Sequence, residues 1–192
     1  MSTFRLAPLS LTFLAASLAA CGSMSGRGSM PMAAPFSQEA LPDTVKVPAG
    51  HRVAWETVGV GEITYECRAK AGAADAFEWV FVGPKADLRS RQGQVVGSYF
   101  GPPATWAAQD GSSLTGAQLA VAPAGSGNIP LQLVKANPAK LVDCKGDLQG
   151  VSYIQRVATR GGVAPALACG SGSLGQRQVV TYQADYIFWK PA

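Results

Sequence analysis

Four glutamates, Glu56, Glu62, Glu66 and Glu78, lie on or beside neighbouring strand candidates, and a pair of carboxylates is the simplest apparatus for cleaving a glycosidic bond. That chemistry needs one carboxyl as acid and the other as base or nucleophile, about 5 to 9 Å apart across a cleft. The plainer role, solvent-side charge on half-buried strands, is the commoner one for such residues. A second constellation is aromatic. Trp55, Trp79, Trp106 and Trp189, with several tyrosines, would stack against sugar rings beside polar groups such as Asp110, Gln155 or Arg156. Trp106, Asp110, Gln155 and Arg156 are therefore the candidate ligand-binding residues. The competing use of Trp and Tyr is to fill a β core, where each buries roughly 150 Å² or more.

Other chemistries find little footing. The nucleophile-elbow pattern G-x-S-x-G is absent, and Gly170-Ser171-Gly172-Ser173 is a loop by composition. The sole histidine, His51, would have to serve as base for any triad. Gly59-Val60-Gly61 lacks the third glycine and the following helix of a dinucleotide fingerprint and reads as a turn. Asp110-Gly111-Ser112 lacks the further carboxylates of a calcium loop. Without a C-x-x-C pair or ligand-type spacing, no metal site is assigned. The sequence assigns no catalytic residue and no cofactor.

The N-terminus carries an address. Arg5 and the free amine precede an apolar run from Leu6 to Ala20, about the length of a signal h-region and short of the roughly 20 residues that span a bilayer. The run closes on Leu18-Ala19-Ala20-Cys21, which resembles a bacterial lipoprotein box. On that resemblance residues 1–20 are a signal peptide and Cys21 is the lipidated first residue of the mature chain. Several acyl chains, each methylene contributing about 0.8 kcal/mol, hold a protein stably to a membrane. Gly22 rather than aspartate after the cysteine implies the outer membrane, with the domain in the periplasm or at the cell surface. Residues 21–43 read as lipidated cysteine and flexible tether, and residues 44–192 as one domain, large enough to bury a core.

The formal charge of +4 is dispersed over Arg68, Lys70, Arg89, Arg91, Lys140, Lys145, Arg156 and Arg160 among others. Nucleic-acid binders concentrate charge on one stripe, so neither nucleic acid nor nucleotide is expected as a partner. With Cys21 given to lipid, Cys67, Cys144 and Cys169 leave one disulfide and one thiol in an oxidising compartment. Closeness in sequence favours Cys144 with Cys169; the residues alone leave the pairing open.

Period-two alternation and turn residues dominate from Val45 onward, with 22 glycines and 13 prolines as punctuation in the chain. Strand candidates are a stub at Val45–Val47, His51–Thr57, Ile63–Arg68, Phe77–Val82 broken by Gly83-Pro84, Ala86–Arg89 and Val95–Phe100. Leu114–Val121, Ile129–Lys135, Val151–Thr159 and Val179–Trp189 follow. Asp110-Gly111 is a hairpin-turn dipeptide. Short helical turns are expected near Ala71–Ala76 and Asn137–Leu141. The pattern predicts an all-β, antiparallel sandwich, with a barrel as second choice. In the last strand Val180, Tyr182, Ala184, Tyr186 and Phe188 share a core face. Thr181, Gln183 and Asp185 share the other, with Ile187 and Trp189 near its end.

From Gly59 onward the chain resembles the domain of unknown function 3455 family of secreted bacterial and fungal proteins. The match runs through Ile63-Thr64-Tyr65-Glu66-Cys67, Phe77-Glu78-Trp79-Val80-Phe81, Val96-Gly97-Ser98-Tyr99-Phe100-Gly101-Pro102, Thr105-Trp106 and Asp110-Gly111-Ser112. It continues through Gly150-Val151-Ser152-Tyr153-Ile154-Gln155-Arg156-Val157-Ala158-Thr159, Gly161-Gly162-Val163-Ala164-Pro165, Cys169, and Tyr182-Gln183-Ala184-Asp185-Tyr186-Ile187-Phe188. The resemblance implies no activity. It matches Cys67 and Cys169, which implies that these two pair and that Cys144 is the odd thiol. The expectation is a non-enzymatic, membrane-tethered module that binds polysaccharide or another envelope protein. A carbohydrate-active hydrolase using the strand carboxylates is the alternative, and a structural envelope protein without ligand a third reading.

Overall fold

The computed structural model of the chain describes residues 1, 36–73 and 75–192. Cys21 and residues 22–35 of the expected tether lie outside them. Eight strands follow in chain order: β1 His51–Ala69, β2 Phe77–Arg89, β3 Val95–Phe100, β4 Thr105–Ala108, β5 Ser113–Ala122, β6 Leu131–Ala136, β7 Tyr153–Gly161 and β8 Arg177–Pro191. Each is antiparallel to the next, and β8 returns to β1, so one sheet closes into a barrel. The all-β antiparallel class stands. Of the two arrangements foreseen, the structure takes the barrel instead of the sandwich. The reason is the length of β1, which pairs with β8 from His51 to Glu66 and with β2 from Val58 to Ala69. It serves both edges, so no second sheet is left to stack.

Two breaks expected in the sequence are absent. Gly59-Val60-Gly61 is not a turn but the middle of β1, and Gly83-Pro84 lies inside β2. The glycines are needed there for close approach. A Cβ on Gly59 would lie 2.5 Å from the Tyr186 ring, and one on Gly61 would run into the Lys85 carbonyl. Pro84 sits beside the register shift at Thr64/Tyr65 and just before the β2–β3 ladder begins at Lys85, where a missing N–H is tolerated. The helical turns are also elsewhere. One-turn 3-10 helices form at Asp43–Val45, in place of the expected strand stub, and at Ser171–Ser173. Ala71–Ala76 is the β1–β2 connection, and Lys140 instead bridges Ser113 through a pair of backbone hydrogen bonds.

Two apolar layers result. The lumen is filled by inward residues of the strands, among them Ile63, Leu88, Tyr99, Trp106, Leu114, Val134, Ile154, Tyr182, Tyr186 and Phe188. The second layer lies on the outer face of β5–β8, where Ala122, Leu133, Val157, Ile187 and Trp189 are covered by Val45 and Val47. Phe36 and Leu41 join that layer, so residues 36–43, expected in the tether, are a strap packed on the barrel. Phe36 meets Trp189 edge to face at 6.2 Å. In β8 the alternation is as read: Tyr182, Ala184, Tyr186 and Phe188 are buried in the lumen, while Ile187 and Trp189 are buried under the strap.

Candidate functional site

The proposed carboxylate apparatus does not assemble. Glu56, Glu62 and Glu66 share the outer face of β1, where a rise of about 3.3 Å per residue spreads them beyond catalytic range of one another. Glu56 is paired with Arg91, whose other arm holds Asp185. Glu66 accepts hydrogen bonds from Arg68 and Arg177, which hold its carboxyl below the usual range. A glycosidase acid needs the opposite shift. Glu78 lies across from Arg68, whose guanidinium is bonded to Glu66. His51 packs edge to face on Tyr153, and its Nδ1 lies 3.0 Å from the Pro48 carbonyl, so it has no serine to serve. Among the described residues no cluster of three His, Cys, Asp or Glu side chains is placed to hold a metal ion.

The four candidate binding residues separate into three environments. Asp110 clasps a loop: its carboxylate accepts from the Ser112 hydroxyl at 2.6 Å, the Ser112 amide at 2.8 Å and the Asp147 amide. Those bonds, the Ser112 hydroxyl first, lower its pKa. Gln155 faces the strap and is fully buried. Its Nε2 donates to the Val45 carbonyl at 2.7 Å and to Gln38 Oε1 at 3.0 Å, while its Oε1 accepts from Trp189 Nε1 at 2.9 Å. Trp106 is no surface platform, being 1% exposed. It stacks on Tyr99 at 4.7 Å and meets Tyr186 edge-on at 6.0 Å inside the lumen.

Arg156, one residue on from Gln155, faces the lumen as well. It is directly opposite Tyr186 on β8 and Gln132 on β6, and Tyr186 is opposite Thr57 on β1. Cross-strand partners point to the same face, so Gln132, Arg156, Tyr186 and Thr57 form one inward row. Gln118 completes the group, accepting a 2.7 Å hydrogen bond from Gln132 Nε2. The lumen is open at this end. Gln118 is exposed although it lies opposite the core residue Val134, and Phe81 is 51% exposed although it packs edge-on against inward Tyr65.

Arg156 Nε and Nη2 donate to the Pro130 carbonyl at 3.2 and 2.9 Å, which fixes the guanidinium and leaves Nη1 with no acceptor among the described residues. No carboxylate pairs with it there. Its charge is felt by Tyr65, Tyr99, Tyr182 and Tyr186: burial pushes all four phenols up, and the guanidinium pulls each part of the way back. At neutral pH these hydroxyls are therefore neutral hydrogen-bonding groups rather than bases. Tyr65 donates to the Gly162 carbonyl at 2.8 Å, and Tyr182 and Tyr186 share a 3.2 Å bond. Thr57 Oγ1, in this row, and Trp106 Nε1, on β4 elsewhere in the lumen, are buried without a partner. Sequence reasoning named Trp106 and Arg156 but missed Gln118, Gln132, Thr57 and the tyrosines, because only the register brings them to one wall.

A closed antiparallel barrel with an aromatic lumen, open and polar at one end, is the class these features define. The chain belongs to the family described as protein of unknown function (DUF3455), which matches residues 48–190. No curated protein and no solved structure matches it. Cys67 and Cys169 are joined in a disulfide, as the family resemblance implied, and Cys144 is exposed and free in the turn at Val142–Lys145.

Proposed function

We propose that the protein is a lipid-tethered module of the bacterial envelope, in the outer membrane, that binds a glycan without turning it over. Leu18-Ala19-Ala20-Cys21 supports the tether and its address. The observation that carries the binding reading is the open lumen end. There a fixed guanidinium without a carboxylate partner and two glutamine amides stand with the half-exposed Phe81 ring, the mixture that pairs with sugar hydroxyls and stacks on a sugar face. The wall offers no activated nucleophile and no carboxyl acid, so retention without cleavage is the chemistry it supports.

Two experiments test the reading. Cells fed radiolabelled palmitate should label the wild-type protein and not Cys21→Ser, which should retain its signal peptide; normal labelling of the variant would overturn the tether. On a glycan array the full-length protein in detergent should retain specific glycans with their chain length unchanged. Depolymerisation of a bound glycan would overturn the non-enzymatic reading.

A further inference from the structure

We propose that the lumen end recognises a saccharide bearing a single carboxylate, a uronic-acid type of glycan, and that Arg156 is the residue that reads its charge. The inference rests on the reading of the lumen end as a binding site and adds the ligand's charge class. Arg156 reaches the lumen from β7 with two nitrogens anchored on one carbonyl, so it is held in place before any ligand arrives. A preorganised guanidinium edge matches the two oxygens of a carboxylate. A partly buried cation that lacks a counter-ion is costly to keep, and a bound anion would offset that cost.

The count of charges favours a monoanion over a phosphate monoester. The inward row holds Gln132, Arg156, Tyr186 and Thr57, with Gln118 beside it, and Arg156 is its one cation. Lys135 lies over the Tyr153 ring at 4.1 Å, and Tyr153 packs in the strap layer. Arg160 is exposed, opposite outward Gln183. One cation neutralises a carboxylate; a phosphate at neutral pH carries about 1.5 to 2 charges and would leave the excess facing phenols with raised affinity for their protons. The remaining groups suit the rest of a sugar. Gln118 and Gln132 offer amide donors and acceptors to hydroxyls, and Phe81, backed by buried Tyr65, presents an aromatic ring at the mouth. Thr57 Oγ1, in the same inward row, is buried and unpartnered, as a native protein rarely leaves such a group.

The test uses full-length protein in detergent, with methyl galactopyranosiduronic acid, which carries one carboxylate, and its neutral methyl ester as probes, read by calorimetry and tryptophan fluorescence. The wild type should bind the acid at least about tenfold more tightly than the ester at low salt, since a charge-assisted pair is at stake. Arg156→Gln should abolish that preference while keeping the native circular dichroism spectrum. Arg156→Lys should keep part of it, because the charge remains and the planar fork is lost. Arg160→Gln removes a charge from the outer face of the same strand and should leave the preference intact. Equal binding of acid and ester by the wild type would overturn the charge assignment and leave the binding reading standing. So would an Arg160→Gln loss as large as that of Arg156→Gln, which would reduce the effect to net charge. Inorganic phosphate displacing the acid more effectively than acetate would overturn the single-carboxylate class. If no glycan, acidic or neutral, bound at all, both the inference and the reading beneath it would fall.

Discussion

Gln155 and Arg156 are adjacent in β7 and face opposite layers of the same barrel. Under the strap, Gln155 is fully buried and its amide is matched on both sides, by Val45 and Gln38 as acceptors and by Trp189 as donor. In the lumen, Arg156 is tied only to Pro130, Thr57 Oγ1 in the same row has no partner, and neither has Trp106 Nε1 on β4. The strap layer is finished as structure, whereas the lumen end keeps hydrogen-bonding capacity that folding does not use. Buried polar groups are nearly always satisfied in folded proteins, so the unsatisfied wall is where a site is expected.

The contrast can be broken or sharpened by mutation. The largest effect should come from the crosslink that ties β1 to the β7–β8 connection. Cys67 and Cys169 are 102 residues apart, and the chain-entropy account of a loop of that length gives about 4 to 5 kcal/mol. Cys67→Ser with Cys169→Ser should lower stability by that order in urea unfolding. A loss near zero would mean that the unfolded chain is not constrained by the bridge.

Next comes Phe188, buried in the lumen and 5.0 Å from the Trp55 ring. Phe188→Ala should cost about 3 kcal/mol or more through the cavity it leaves. Gln183→Ala on the outer face of the same strand should change stability by well under about 1 kcal/mol. If Gln183→Ala were the more damaging of the two, the assignment of faces, and with it the lumen, would be wrong.

The smallest effect is acid-dependent and lies in the Asp110 clasp. Its carboxyl is held below the ordinary value by the Ser112 hydroxyl, then the Asp147 amide and Ser112 amide. A folded pKa below the unfolded one means that the contribution is complete above the unfolded value, about 3.9, and is lost as pH falls through the lower folded value. Protection of the Asp147 and Leu148 amides against hydrogen exchange, corrected for intrinsic rates, should fall in that acid window. Asp110→Asn should show lower protection already at neutral pH. Equal protection in wild type and variant would remove the clasp from the account.

Much of this could be read from residue types. The alternation in β8 gave the lumen face correctly, because a period of two with five apolar or aromatic side chains admits one register. The extent of β1 was hidden. Gly59 and Gly61 look like a turn in isolation, and only the Tyr186 ring and the Lys85 carbonyl explain glycine there. Closure was hidden for a related reason: sandwich and barrel share strand lengths and turn residues, and differ in whether the first strand also meets the last. The strap was misread because Phe36 and Leu41 are too few and too widely spaced to signal packing without knowledge of the apolar patch they cover. The site was half visible. Trp106 and Arg156 could be named as residue types, but Gln155 is just as polar, and only the parity of β7 separates it from its neighbour.

That separation is also what a single paired measurement tests most directly. Urea unfolding of Gln155→Ala and Arg156→Gln, side by side, asks which polar residue the fold depends on. Gln155→Ala strands the Val45 carbonyl and the Trp189 indole and should cost about 1 to 3 kcal/mol. Arg156→Gln gives up bonds to one carbonyl but relieves a cation that no carboxylate balances, so stability should move by less than about 1 kcal/mol. The reverse order, with Arg156→Gln the more destabilising, would contradict the account and make the lumen arginine part of the scaffold.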